Sequence, residues 1–103
     1  MSAVEFTDQE FVVNKRTGHV LPRIVCADGF ALSVQASEYH YCTPREDTRY
    51  YLSVEVGFPT ERPEPWDEWS RFAESGESPT DTVYGWVPAP MVRDLIALHG
   101  GAA

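Results

Sequence analysis

The sequence predicts an α+β fold: one small domain, a mainly antiparallel sheet of four to five strands, and a C-terminal helix packed on one face. Two runs of alternating apolar residues flank an Asp-Gly pair, the strongest short-range signal for a hairpin. Near the C-terminus, Val92, Leu95, Ile96 and His99 recur at helical spacing. The chain has 103 residues, 43% of them hydrophobic and 13% aromatic, which suits a single packed core. Residues 1–22 read as an N-terminal extension with a hairpin, and residues 23–101 as the core.

The first dozen residues carry Glu5, Asp8 and Glu10 among Phe6, Phe11, Val12 and Val13. They read as a loosely held start leading into a strand. VVNKRTGHVL reads as strand, turn, strand, with Arg16, Thr17 and Gly18 at the reversal. RIVCADGFALSVQAS follows as the clearest hairpin. A two-residue type I′ turn at Asp28-Gly29 sets Ala27 opposite Phe30 and Cys26 opposite Ala31. Val25, Phe30, Leu32 and Val34 then face the core, and Cys26 falls on the other face with Ile24, Ala31 and Ser33.

YHYC and RYYLSVEVGFP read as further strands. In the second, Tyr50, Leu52, Val54 and Val56 form one largely apolar face. The composition then shifts. PTERPEPWDEWSRFAESGESPTD holds a short helix that starts at Pro65, carries Asp67 and Glu68 in its first turn and ends at Gly76. Trp66, Trp69 and Phe72 make an aromatic stripe on it. DTVYGWVP is a strand closed by Pro88. Pro90 opens the final helix, and Gly100 stops it.

Charge narrows the function. Eight Lys and Arg face sixteen Asp and Glu, a formal net charge of −8. Such a chain repels nucleic acid and favours basic partners. The acidic segment supplies the candidate partner-binding residues Glu61, Glu64, Trp66, Asp67, Glu68, Trp69, Glu74 and Glu77, because tryptophans are enriched where proteins grip one another. Both tryptophans also suit packing of the helix onto the sheet. The sequence shows no long apolar run and no signal peptide, so no membrane partner and a cytosolic setting are expected.

Cys26, His40, Cys42 and His99 form the other candidate site. Two thiols and two imidazoles are the donor set of structural zinc. The spacing is not a standard one, and two further readings stay open. The thiols also fit as small buried side chains, and Cys42 with a histidine base also fits a nucleophile. His40 and Cys42, two apart on a strand, sit too far apart for an easy hydrogen bond, and no glycine-rich oxyanion turn flanks either cysteine. A non-enzymatic role is therefore expected.

The stretch IVCADGFALSVQASEYHYC at 24–42, with TPR, VEVGFP, VYGWVP and LIALHGG, resembles a group of small phage- and prophage-encoded proteins. The resemblance covers residues 24–101. Its Cys, His, Cys and closing His fall on Cys26, His40, Cys42 and His99. Val25 departs from the direct Ile-Cys start of that pattern, and Trp86 occupies its free position. The resemblance implies a phage or mobile-element origin. Small acidic phage proteins often bind host defence machinery, with anti-CRISPR proteins the best known. The expected function is thus inhibition of a host protein with a basic surface, a CRISPR effector or another nuclease. The alternative is a zinc-stabilised phage protein serving replication or morphogenesis.

Overall fold

Apolar residues in this chain come in short runs broken by Pro, Gly and acids, so no strand among the described residues exceeds six residues. The computed structural model describes residues 4–14, 20–75 and 78–103. Strands β1 (Val4–Phe6), β2 (Phe11–Val13) and β5 (Tyr50–Tyr51) form a three-stranded antiparallel sheet in the order β1-β2-β5. Strands β3 (Ile24–Val25), β4 (Ala31–Gln35), β6 (Ser53–Gly57) and β7 (Val83–Pro88) form a second antiparallel sheet in the order β3-β4-β6-β7. Helix α1 (Trp66–Trp69) runs into a single 3₁₀ turn at Ser70–Phe72, and α2 (Ala89–Leu98) is the last element. The fold is α+β and antiparallel, as expected, but its strands divide between two sheets.

The N-terminal strands depart from expectation. The reversal expected at Arg16, Thr17 and Gly18 lies outside the described residues, and β2 does not pair with residues 20–23. Its partners are β1, through a reversal at Thr7–Glu10, and β5. Thr7 sets that reversal: its hydroxyl accepts the Glu10 N–H at 3.0 Å. Residues 20–23 form no strand among the described residues. They are held by a side chain instead. The buried Gln35 amide accepts the Leu21 N–H at 2.6 Å and donates to the Leu21 carbonyl at 2.8 Å, taking the place of a strand partner.

The Asp-Gly hairpin forms, one residue out of the expected register. Ile24 opposes Leu32 and Val25 opposes Ala31, which places Cys26 opposite Phe30. The loop has three residues, Ala27–Gly29, because Asp28 is not in the left-handed region that a type I′ turn demands of it. Only Gly29 has positive φ there, at 93°. The Gly29 N–H reaches the Cys26 carbonyl at 3.0 Å, and Asp28 Oδ1 accepts the Phe30 N–H at 2.9 Å. A one-residue slip exchanges the faces of a strand. Cys26 is consequently core, 1% exposed, and Val25 is on the surface.

A second change of face occurs at Leu52. Tyr51 is buried and Tyr50 exposed, yet three residues after Tyr51 the buried pair is Val54 and Val56, of opposite parity. Leu52 itself is exposed. Its N–H bonds the Thr43 carbonyl and its carbonyl accepts the Ala89 N–H. The chain leaves one sheet and enters the other at this point, so no single alternation spans it. YHYC is not a strand either. Residues 37–42 form a turn, with the His40 N–H on the Ser37 carbonyl.

α2 packs against β7 and β1 and so closes both sheets. Val92, Leu95 and Ile96 are buried on its inner face. Arg93 donates to the Thr7 and Asp8 carbonyls at 3.2 and 3.1 Å, tying α2 to the β1–β2 reversal. The helix ends in paired glycines. Gly101 N–H bonds the Ile96 carbonyl and Gly100 N–H the Ala97 carbonyl, with φ of 90° at Gly100. These are the two bonds of a Schellman stop, for which glycine is the natural residue.

Candidate partner-binding face

The two cysteines and two histidines are brought together as pairs, not as four. Cys26 and His99 share one corner. Phe30, opposite Cys26, stacks on the His99 ring at 3.9 Å and 8°, and His99 Nδ1 lies 2.7 Å from Asp28 Oδ2. Burial pushes the Cys26 thiol up, and the nearby Asp28 carboxylate adds to the shift. His40 and Cys42 meet at Ser37, past the far end of β4. His40 Nδ1 is 2.7 Å from Ser37 Oγ, and Cys42 Sγ donates to the Ser37 carbonyl at 3.2 Å. The five residues of β4 separate the pairs by about 15 Å at strand rise. Donors to one zinc ion must each come within about 2.0–2.3 Å of it. The four residues do not fit one ion, and among the described residues no group of three or more His, Cys, Asp and Glu forms a metal site.

The acidic segment has a different character. It is anchored at its start, where the Thr60 N–H reaches the Ala31 carbonyl and the Thr60 hydroxyl accepts the Ala31 N–H. It is anchored again at its end, where the Glu74 N–H bonds the carbonyl of Val83, the first residue of β7. Between them, Trp69 is 1% exposed and stands edge-on to Tyr84, centroids 5.6 Å apart. Tyr84 is itself so enclosed that burial pushes its phenol up to about 12. Trp69 is therefore a core anchor, and the expectation that it touches a partner is corrected on that ground. Trp66 is half-buried, edge-on to the same Tyr84 and under the Arg62 guanidinium at 5.8 Å. Pro65 precedes the helix as its N-cap residue with an extended backbone, rather than serving as the first helical position.

With the aromatic rings turned inward, the carboxylates are left outside. Glu61, Glu64, Asp67, Glu68 and Glu74 are all exposed. Glu64 is paired with Arg62 at 2.7 Å, and that bond holds its carboxyl below the usual range. Glu61, Asp67, Glu68 and Glu74 form no ion pair with another described residue. Glu77 lies outside the described residues.

Sequence reasoning missed an aromatic column on the neighbouring surface. Opposite Glu55 the register between β6 and β7 slips, so Gly85 and Trp86 together face one residue. Such a bulge re-aims a side chain. Trp86 takes φ of 52° and is 50% exposed. Its ring stacks on Tyr41 at 4.8 Å, and the Arg45 guanidinium lies over the same Tyr41 ring at 5.3 Å. A Cβ at Gly85 would meet Tyr41 Cβ at 3.2 Å, so the glycine lets Tyr41 lie close. That glycine inside a strand was the available signal, since an interior glycine often marks a bulge or a close approach.

Comparison of the chain with family models, with curated proteins and with solved structures finds no match.

Proposed function

We propose that this protein is a non-enzymatic binding protein of phage type that engages a basic surface on a host protein through the acidic face of residues 61–74. The observation that carries this reading is the arrangement of that face. Its backbone is fixed at both ends and through Trp69, while Glu61, Asp67, Glu68 and Glu74 stay exposed without ion-pair partners. A face ordered in advance loses little conformational freedom on binding. Unpaired carboxylates on a chain of net charge −8 steer a basic partner and repel nucleic acid.

A binding role also agrees with the burial of both thiols, which leaves neither presented to a substrate. No described helix is long and apolar enough to cross a membrane, in keeping with a partner met in the host cytosol. The partner class follows from charge and from the phage resemblance together: a nucleic-acid enzyme such as a CRISPR effector or another nuclease, whose own substrate demands a basic surface.

The test is capture from host lysate on immobilised protein, wild type beside the Asp67→Lys/Glu68→Lys variant. The expected result is a basic nucleic-acid enzyme retained by wild type and lost by the variant. Equal capture by both would remove the acidic face from the account.

A further inference from the structure

We propose that the groove between α1 and α2 is a socket for one large apolar side chain flanked by lysine or arginine on a basic protein segment. This rests on the binding reading above and specifies what the acidic face grips. Met91 and Leu98 flank Leu95 at i−4 and i+3, and extend the apolar surface of α2 beyond the stripe of Val92, Leu95 and Ile96 that it buries. The apolar arc of α2 is thus wider than the sheets cover. Leu95 and Trp69 close the bottom of the groove but are already covered, both 1% exposed. The apolar surface open to an occupant is therefore that of the walls: Leu98, 63% exposed, with the exposed Pro65 and half-buried Met91. A lone exposed leucine is unremarkable. This one borders a cleft of about 230 Å³.

The rim identifies the occupant. Glu64, Glu68 and Asp94 line the groove, and no Lys, Arg or His lines it. Arg62 and Arg93 approach from outside, each paired to a rim carboxylate, at 2.7 Å to Glu64 and 3.2 Å to Asp94. Arg93 is also held by the Thr7 and Asp8 carbonyls. Glu68 is left with no ion pair among the described residues. The Glu64 carboxylate is positioned in advance, since its other oxygen accepts the Trp66 N–H at 3.3 Å. Apolar walls beside the unpaired Glu68, with Glu64 and Asp94 on the same rim, complement an apolar side chain flanked by cations. A cleft of this size admits a side chain but not a helix, which is about 10 Å across. A second copy of this chain is disfavoured, because each brings a net charge of −8.

The probes are two heptapeptides. One has leucine at its centre between serines, with two lysines at each end; the other replaces the leucine with serine. Amide shifts of labelled protein are followed as each is titrated. The leucine peptide is expected to bind about tenfold more tightly, the effect of burying one leucine side chain. Its shifts should centre on Met91, Asp94 and Leu98. In Leu98→Ser, which removes an exposed side chain, the preference should fall towards one. Glu68→Lys should weaken both peptides.

Equal binding of the two peptides overturns the socket, as does a leucine preference that survives Leu98→Ser. If the peptides bind equally and Asp67→Lys/Glu68→Lys abolishes both, the acidic face stands without the socket. If charge reversal leaves both peptides bound, or neither binds wild type, both proposals fail.

Discussion

His99 at the end of α2 is joined to Asp28 in the β3–β4 turn, Nδ1 to Oδ2, at 2.7 Å. The contact is one part of a clasp that links residues far apart in sequence. The Asp28 N–H reaches the His99 carbonyl, the Ala27 N–H reaches the Gly101 carbonyl, and Ala103 N–H bonds Val25. The C-terminal residues thereby lie along β3, whose outer edge has no other strand among the described residues. Covering an edge in this way removes a surface on which chains could pair.

The clasp predicts an acid-sensitive contribution to stability. The Phe30 N–H, then His99, hold the Asp28 carboxyl below its usual value. Because the folded value is depressed, the contribution is complete above the unfolded aspartate value and is lost as pH falls through the folded one. Asp28→Asn keeps the side-chain shape and removes the charge. Thermal midpoints of wild type and variant should differ at about pH 5 and converge as pH is lowered towards about 2. A gap that stays constant or widens over that range would contradict the assignment.

Trp86 predicts an inverted substitution order. In an ordinary strand alanine is preferred to glycine. At φ of 52° a residue with a Cβ is strained, and glycine is not. Trp86→Ala loses the Tyr41 stack and keeps the strain, whereas Trp86→Gly loses both. Glycine should be the more stable of the two by about 1 kcal/mol in denaturant titration. Alanine equal to glycine, or better, would count against the left-handed geometry.

The separation of the two thiol–imidazole pairs predicts indifference to chelators. Removing a structural zinc ion unfolds a small domain. Here a strong chelator should leave the thermal midpoint unchanged, and purified protein should hold less than about a tenth of an equivalent of zinc. Cys26 and Cys42 are 1% and 2% exposed, so neither should react with a thiol reagent until denaturant is added. Near-stoichiometric zinc, lost together with folded structure, would overturn this placement.

The elements that local pattern specifies were legible in the sequence. The hairpin around Asp28-Gly29, the strand ending at Pro88 and the stop of α2 at Gly100 all follow from turn chemistry and periodicity within one segment. What escaped depends on contacts between segments. The Asp-Gly pair serves either a two- or a three-residue loop, and the choice sends Cys26 inward or outward. Leu52 lies where the chain changes sheets, which alternation within one strand does not reveal. YHYC has strand-forming composition, yet Ser37 draws both His40 and Cys42 into a turn. Of the candidate site, the acids were legible from composition. Packing of Trp69 onto the sheet was one of the two readings open in the sequence, and Tyr84 decides it. The outward turn of Trp86 was not legible, because it depends on Tyr41, brought by another element.

The most direct test of the acidic face is the salt dependence of affinity for the captured host protein, measured for wild type and for Asp67→Lys/Glu68→Lys. Charge-steered binding weakens as ions screen it over a Debye length of about 10 Å at 0.1 M salt. The account predicts that wild-type affinity falls steeply with added salt. It also predicts that the variant binds at least about tenfold more weakly at low salt, with a flatter slope. Identical affinity and slope for the two proteins would contradict it.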